Sequence, residues 1–256
     1  MMKNLQLRSN LKKAMCFLFL LPFVFLFSQT HAQENKQESN GGAGLSLRYG
    51  GKFGTTLSSF TNQQPYTNQA QGITAGGFVR YGLTESLSVQ LEINYFQQGG
   101  RLTKFDVPSM YGSADWYDLE ASNQYLRMHN IEVPLLAQYK YSFDKLDVIG
   151  HFGPSFGYNM HSGVRSEQTA FNSGIYLRNY TEEKDITSKI NAFQYSITAG
   201  ISLEYPLIKN IALSVDGRYR YGLNSVYDGY SYIGIPQVQG DLINHSTYFS
   251  IGFIYK

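Results

Sequence analysis

Polar and apolar residues alternate with a period of two along most of the chain. In Leu87-Ser88-Val89-Gln90-Leu91-Glu92-Ile93-Asn94-Tyr95, the Leu, Val, Ile and Tyr residues fall on one face and Ser, Gln, Glu and Asn on the other. The same pattern runs through Phe193–Tyr205 and Ile211–Tyr221. Alternation of this length marks a strand with two different faces and excludes a helix. Read throughout, it predicts eight strands near 44–55, 72–82, 87–98, 127–142, 146–159, 191–205, 211–222 and 246–255.

The connections between these strands alternate in length. Thr84-Glu85-Ser86, Phe143-Asp144-Lys145 and Pro206 to Asn210 are short, whereas 61–71, 99–126, 160–190 and 223–245 are long and rich in Asn, Gln, Ser, Gly and Tyr. A soluble β-sandwich also has alternating strands, but nothing in it sorts short turns to one end and long loops to the other. An outer-membrane barrel does, because one end faces the periplasm and the other the outside. Closure also leaves no unpaired strand edge in lipid. The expected fold is therefore all-β, an eight-stranded antiparallel up-and-down transmembrane β-barrel over residues 44–256.

The first residues read as an export address. Lys3, Arg8, Lys12 and Lys13 precede an apolar run from Ala14 to Phe27, and Thr30-His31-Ala32 supplies small residues ahead of Gln33. This is the form of a signal peptide over 1–32, followed by a short polar periplasmic leader over 33–43. The apolar run of 14 residues is too short for a membrane anchor, which needs about 20. Cys16, the single cysteine, would leave with the signal, so neither disulfides nor a thiol nucleophile is expected in the mature chain. Removing four basic residues changes 21 cations against 19 anions into 17 against 19, a net charge of -2. No nucleic-acid footprint survives that change. The charged fraction of 16% is low beside the roughly 25% of soluble domains, and 21 Tyr stand against one Trp.

The two faces of the predicted strands carry different chemistry. The apolar face, including Leu45, Leu47, Val79, Leu91, Leu135, Ile201, Val215 and Phe253, is expected to meet lipid. The opposite face carries Arg48, Lys52, Arg80, Lys140, Arg218 and Arg220, with Glu92, Glu132, Asp147, Glu204 and Asp216. An eight-stranded barrel has an interior just wide enough for side chains to fill it. The charges should therefore pair across the lumen, since an unpaired buried charge is costly. A nearly neutral, filled interior is a plug; a gated ion path is the competing reading. Tyr81, Tyr139, Tyr141, Tyr205 and Tyr255 fall near the short turns, and Tyr95, Tyr158, Tyr195, Tyr219 and Tyr221 near the long loops. They form two expected aromatic girdles at the two membrane interfaces.

The stretch His129-Asn130-Ile131-Glu132-Val133-Pro134-Leu135-Leu136-Ala137-Gln138-Tyr139-Lys140 resembles the Y-L-E-I-P-L-L-x-K-Y strand of the PorT-like outer-membrane β-barrels of Gram-negative bacteria. Gly153-Pro154-Ser155-Phe156-Gly157-Tyr158 resembles their G-P-x-x-G-Y strand. Thr198–Tyr205 and Arg218-Tyr219-Arg220-Tyr221-Gly222-Leu223 are similar to their G-x-G-x-E-Y and R-Y-x-Y-G-L strands, with Ile201-Ser202 replacing the second glycine. The resemblance implies an outer-membrane location and an eight-stranded barrel. The founding member is linked to a secretion and gliding apparatus, a role that membership alone does not transfer. Pro134 inside a strand removes a ladder donor, and a local bulge is expected there.

Catalytic and metal chemistry is poorly supported. His129, His151, His161 and His245 have no metal-pair spacing, and no metal or cofactor is expected. Gly50-Gly51-Lys52-Phe53 lacks the hydroxyl residue of a phosphate loop. A lipid-modifying barrel would need His, Ser and a carboxylate near one rim. His129 with Ser122 and Glu120, or His245 with Ser246 and Asp241, are the available sets, without diagnostic spacing. The sequence thus points to a monomeric, non-enzymatic barrel that contacts outer-membrane lipid. Its long loops, with Tyr66, Tyr111, Tyr117, Tyr125, Tyr176, Tyr180, Tyr227, Tyr230 and Tyr232, would offer surface to an envelope protein partner.

Overall fold

The computed structural model describes residues 46–61, 67–106, 118–172, 175–226 and 242–255. The expected signal peptide, the leader and Leu45 lie outside these residues. Among the described residues ten strands form: β1 Leu47–Thr61, β2 Thr67–Asn68, β3 Ala70–Gly82, β4 Leu87–Asp106, β5 Asp118–Phe143, β6 Leu146–Asn172, β7 Ile175–Asp185, β8 Phe193–Ile208, β9 Ile211–Gly222 and β10 Ile243–Tyr255. A 3-10 turn, Thr187–Lys189, follows β7.

Eight of the strands close on themselves. Going round from β1, the order is β3, β4, β5, β6, β8, β9 and β10, and β10 pairs with β1 to finish the ring. Every pairing is antiparallel and joins neighbours in sequence, apart from the β1–β10 seam. This is the up-and-down barrel. Its alternation is visible as burial: in β9, Ala212, Ser214, Asp216, Arg218, Arg220 and Gly222 are buried while the intervening residues are exposed or half-buried.

Several predicted boundaries were too short. The stretches 99–126 and 160–190, expected as loops, are largely strand. β4 and β5 pair from Leu87↔Tyr139 out to Asp106↔Glu120, and β6 pairs with β7 from Gly163↔Asp185 to Asn172↔Ile175. β5 runs 13 residues, from Asp118 to Asn130, beyond Ile131. That is about 40 Å of chain at ~3.3 Å per residue. The physical reason is that the apolar residues of this extension switch from odd to even positions, from Leu119 and Ala121 to Leu126 and Met128, so no single period announces it. β7 occupies the lane that β8 fills lower down, since β6 pairs with each of them over a different part of its length. The turn expected over Pro206–Asn210 is tighter, because β8 continues to Ile208 with a register shift between Pro206 and Ile208.

The bulge expected at Pro134 is absent. Pro134 sits in regular register opposite Ser155, and the shifts in the β5–β6 ladder fall instead between Ala121/Asn123 and His129/Asn130. On its other side the ladder resumes in unchanged register, from Leu91↔Leu135 to Asn94↔Glu132, leaving out the pairs between. Proline costs the sheet local pairing here and does not displace the strand.

Candidate functional site

The lumen is built from the inward-facing positions of all eight barrel strands. Glu92 of β4 is its hub. Its carboxylate accepts from Lys52 Nζ at 2.6 Å, Arg218 Nη1 at 2.8 Å, Asn94 Nδ2 at 2.8 Å and Gln90 Nε2 at 2.5 Å. Arg218 also reaches Asp216 at 2.7 Å, and Lys52 lies 3.7 Å from the same carboxylate. Arg80 pairs with Glu204 at 2.7 Å and donates to Gln90. Arg220 donates to Glu132 at 3.1 Å and to Gln98 at 3.0 Å. All eight of these charged side chains are buried. Four cations meet four anions, which is the condition under which burial of charge is tolerable.

Aromatic rings fill the space between the charges. Lys52 Nζ and Arg218 Cζ each stand 5.9 Å from the Tyr248 ring centre, Arg220 lies over Phe96 and Arg80 over Phe78. Phe96 meets Tyr248 edge-on at 5.3 Å. Sequence reasoning missed His151, a buried member of the network. Gln138 Nε2 can only donate, so His151 Nδ1 accepts it at 2.8 Å and Nε2 carries the proton. Nε2 then donates to Ser202, whose hydroxyl donates to Asp216 at 3.0 Å. The inner alternation of β6, which places His151 beside buried Ser155, was the available signal.

Three of the eleven predicted lumen charges do not join this network. Arg48, Lys140 and Asp147 face inward at the short-turn mouth, where they are only half-buried and make no ion pair among the described residues. Water reaches that mouth, so a charge there needs no protein partner. A cavity of about 30 Å³ lies beside Arg48, Arg80 and Lys140. Deeper in the lumen, beside Lys52, Asp216 and Arg218, the void is about 10 Å³, room for about one water.

Towards the long-loop end the lumen changes character twice. First comes an amide layer: Gln98 donates to Gln194 at 2.5 Å, and Asn159 donates to Asn130 at 2.9 Å and Ser162 at 2.8 Å. Above it Phe60, Leu126, Met128, Val164, Ile186, Ile190, Val226 and Leu242 form one buried apolar cluster. Backbone bonds from Ile186 to Ser162, Asn191 to Val226 and Val226 to Leu242 hold the two connecting segments in that roof. The lumen is therefore closed at three levels by three kinds of contact.

The outer face carries the opposite chemistry. Phe53 and Ile201, in the middle of their strands, and Phe152 of β6 are 59 to 62% exposed. Tyr81, Tyr139, Tyr141, Tyr205 and Tyr255 point outward near the short turns, with Tyr49 against Tyr255 at 5.2 Å. Tyr95 and Tyr158 are half-buried on the outer face, and Tyr195, Tyr219 and Tyr221 are exposed there towards the other end. Along β5 the rings are separated by the eight steps from Tyr139 to Ile131, the residue opposite Tyr95. That is about 26 Å of strand, or ~20 Å of height at a tilt of ~40°, close to the apolar band of an outer-membrane barrel.

Neither candidate catalytic set assembles among the described residues. His245 and Ser246 are neighbours on β10, so their side chains point to opposite faces; Ser246 is buried and donates to Asn244. Asp241 and the side chains of Glu120 and Ser122 lie outside the described residues. His129 instead faces outward, with Tyr95 Oη 2.5 Å from its Nδ1 and the His161 ring 5.7 Å away. Among the described residues no three His, Cys, Asp or Glu side chains converge as metal ligands. Of the expected loop tyrosines, Tyr125 lies on β5 and Tyr176 and Tyr180 on β7; Tyr66, Tyr111, Tyr117, Tyr227, Tyr230 and Tyr232 lie outside the described residues.

Comparison with known proteins agrees with the architecture. Residues 27–228 match the family model described as outer membrane protein beta-barrel domain. No curated protein matches the chain. Similar solved structures include a major outer membrane protein from Thermus thermophilus, 13% identical with a TM-score of 0.39, covering 80% of this chain and 98% of that one. The attachment invasion locus protein of Yersinia pestis is 12% identical with a TM-score of 0.36, covering 81% and 97%. The outer membrane protease of Escherichia coli is 10% identical with a TM-score of 0.29, covering 86% and 99%.

Proposed function

We propose that this chain, which belongs to the outer membrane protein β-barrel domain family, works as a closed, non-catalytic scaffold that presents a binding surface outside the bilayer. The observation that carries this reading is a contrast along the same strands. Inside the bilayer their inner positions are consumed by paired charges, amides and an apolar roof. Beyond it, β4 to β7 continue as a sheet that barrel closure does not require. A rigid scaffold with long outer segments is the usual arrangement for binding. The resemblance of β5, β6, β8 and β9 to PorT-like barrels supports a partner within an envelope complex, such as a secretion or surface assembly.

The test is crosslinking and affinity purification from the native envelope, with the full protein beside a shortened one. The shortened variant lacks residues 104–122 and 166–182, each replaced by a two-residue turn between strands that remain in register. It keeps Leu126, Val164 and Ile186 of the apolar roof. The full protein is expected to retrieve a stoichiometric envelope protein, and the shortened barrel to lose it while keeping its heat-dependent gel shift. An empty capture with the full protein, or undiminished capture with the shortened one, would sink the reading.

A further inference from the structure

A groove of about 530 Å³ lies on the outer face of β5, β6 and β7, just beyond the upper tyrosine ring. Its wall nearest the bilayer is formed by Arg127, His129 and His161. Gly163 lies directly opposite Arg127 and gives the groove its floor. A Cβ on Gly163 would meet only the Lys184 carbonyl at 3.7 Å and His161 Nε2 at 3.9 Å, so the space above it is open.

The hydrogen bonds fix which atoms face that space. The Thr187 hydroxyl donates to Asp185 Oδ1 at 2.6 Å, so His161 Nδ1, 3.2 Å from Thr187 Oγ1, is placed to donate to it. That leaves His161 Nε2 over Gly163, with the Asp185 carboxylate 3.9 Å behind Nδ1. His129 Nδ1 is taken by Tyr95, leaving its other nitrogen open. Arg127 is exposed and has no carboxylate partner among the described residues. Glu167 and Glu183, farther from the bilayer, flank Arg165 at 3.6 and 3.9 Å, whereas Asp185 lies directly opposite Gly163 on β7 and accepts from the Thr187 amide and hydroxyl. The edge of the groove nearest the bilayer thus carries Arg127 and two imidazoles, and the carboxylate beside them, Asp185, is turned to Thr187.

We propose that this edge of the groove binds a phosphomonoester over Gly163, held by the Arg127 guanidinium and the open nitrogens of His161 and His129. The Arg127 guanidinium offers the charge-assisted donors that a phosphate dianion accepts, and His129, whose Nδ1 is taken by the Tyr95 hydroxyl, adds an N–H from its other nitrogen. Depth identifies the source. His129 and Arg127 lie two and four residues beyond Ile131, about 7 and 13 Å along the strand, which is the headgroup zone. With the long loops outside, that zone belongs to the outer leaflet, so the expected ligand is the phosphorylated sugar headgroup of an outer-leaflet glycolipid. The inference rests on the outer-membrane placement and is independent of the protein-partner reading.

The experiment is native mass spectrometry of the full protein in detergent, titrated with diphosphorylated lipid A, with enzymatically dephosphorylated lipid A, and with inorganic phosphate as competitor. Retention of the phosphorylated lipid is expected to exceed that of the dephosphorylated lipid by about tenfold or more, a difference of ~1.4 kcal/mol or more. R127Q/H161Q is expected to lose most of that preference. Gly163→Val, which fills the space above the floor, should do the same, with the heat-dependent gel shift intact for both. Displacement by inorganic phosphate would assign the same site to free phosphate. Equal retention of both lipids, or full preference in both folded variants, would overturn the proposal.

Discussion

Replacing Glu92 by alanine is expected to destabilise the barrel by about 3–5 kcal/mol, the cost of breaking a buried pair from one side. Glu92 accepts four hydrogen bonds and is the closest anion to Lys52, at 2.6 Å. Its removal leaves two buried cations facing one carboxylate, Asp216, which Lys52 approaches only to 3.7 Å. Urea-induced unfolding in lipid vesicles, followed by far-ultraviolet circular dichroism and by gel shift, measures the loss. The companion variant K52M/E92Q removes one charge of each sign and restores neutrality. It should recover a large part of the stability, as expected where the penalty is an unmatched charge and not lost packing. Equal destabilisation of single and double variants would contradict the electrostatic account of the lumen.

Ile201→Arg is expected to cost about 2–4 kcal/mol in a bilayer, the penalty for arginine at the midplane of a barrel's lipid face. Ile201 is 59% exposed and lies midway along β8. On a water-facing surface the same change would fall within about ±0.5 kcal/mol. The difference between these outcomes separates a lipid-facing belt from a solvent-facing one at a position where the fold is identical in both. A control at Leu207, exposed near the short turn, should cost much less because lipid-face penalties fall towards the interfaces. Refolding yield and unfolding midpoints in vesicles are the readouts. A neutral Ile201→Arg would remove the membrane from the explanation.

The barrel was legible because its two faces meet opposite solvents. Leu87 to Tyr95 alternates without a break, and the structure places Gln90, Glu92 and Asn94 inside and Leu91 and Ile93 outside. Where no strict alternation runs along a strand the signal disappears. Arg101 to Asp106 and Asp118 to Gln124 therefore read as loop although they pair in register across β4 and β5. The pairing of Lys52 with Glu92 and of Arg220 with Glu132 required only that the lumen be narrow. Alternation puts Arg48, Lys140 and Asp147 on the inner face, but whether each finds a partner there depends on depth along the strand, which the pattern does not carry. The apolar roof was invisible for another reason: Phe60, Met128, Ile186, Val226 and Leu242 come from separate segments with no common period, and only closure assembles them. Likewise the groove over Gly163 needs His129 and His161 to be cross-strand neighbours, a relation set by the register shift at His129/Asn130.

The lumen is closed by its own side chains, layer on layer. Planar-bilayer recording of the full protein tests it most directly, with incorporation verified in the same membrane by a fluorescent label. A silent bilayer is expected at moderate voltage and physiological salt. Sustained unitary conductance, altered by charge changes at Arg80 or Glu92, would contradict it.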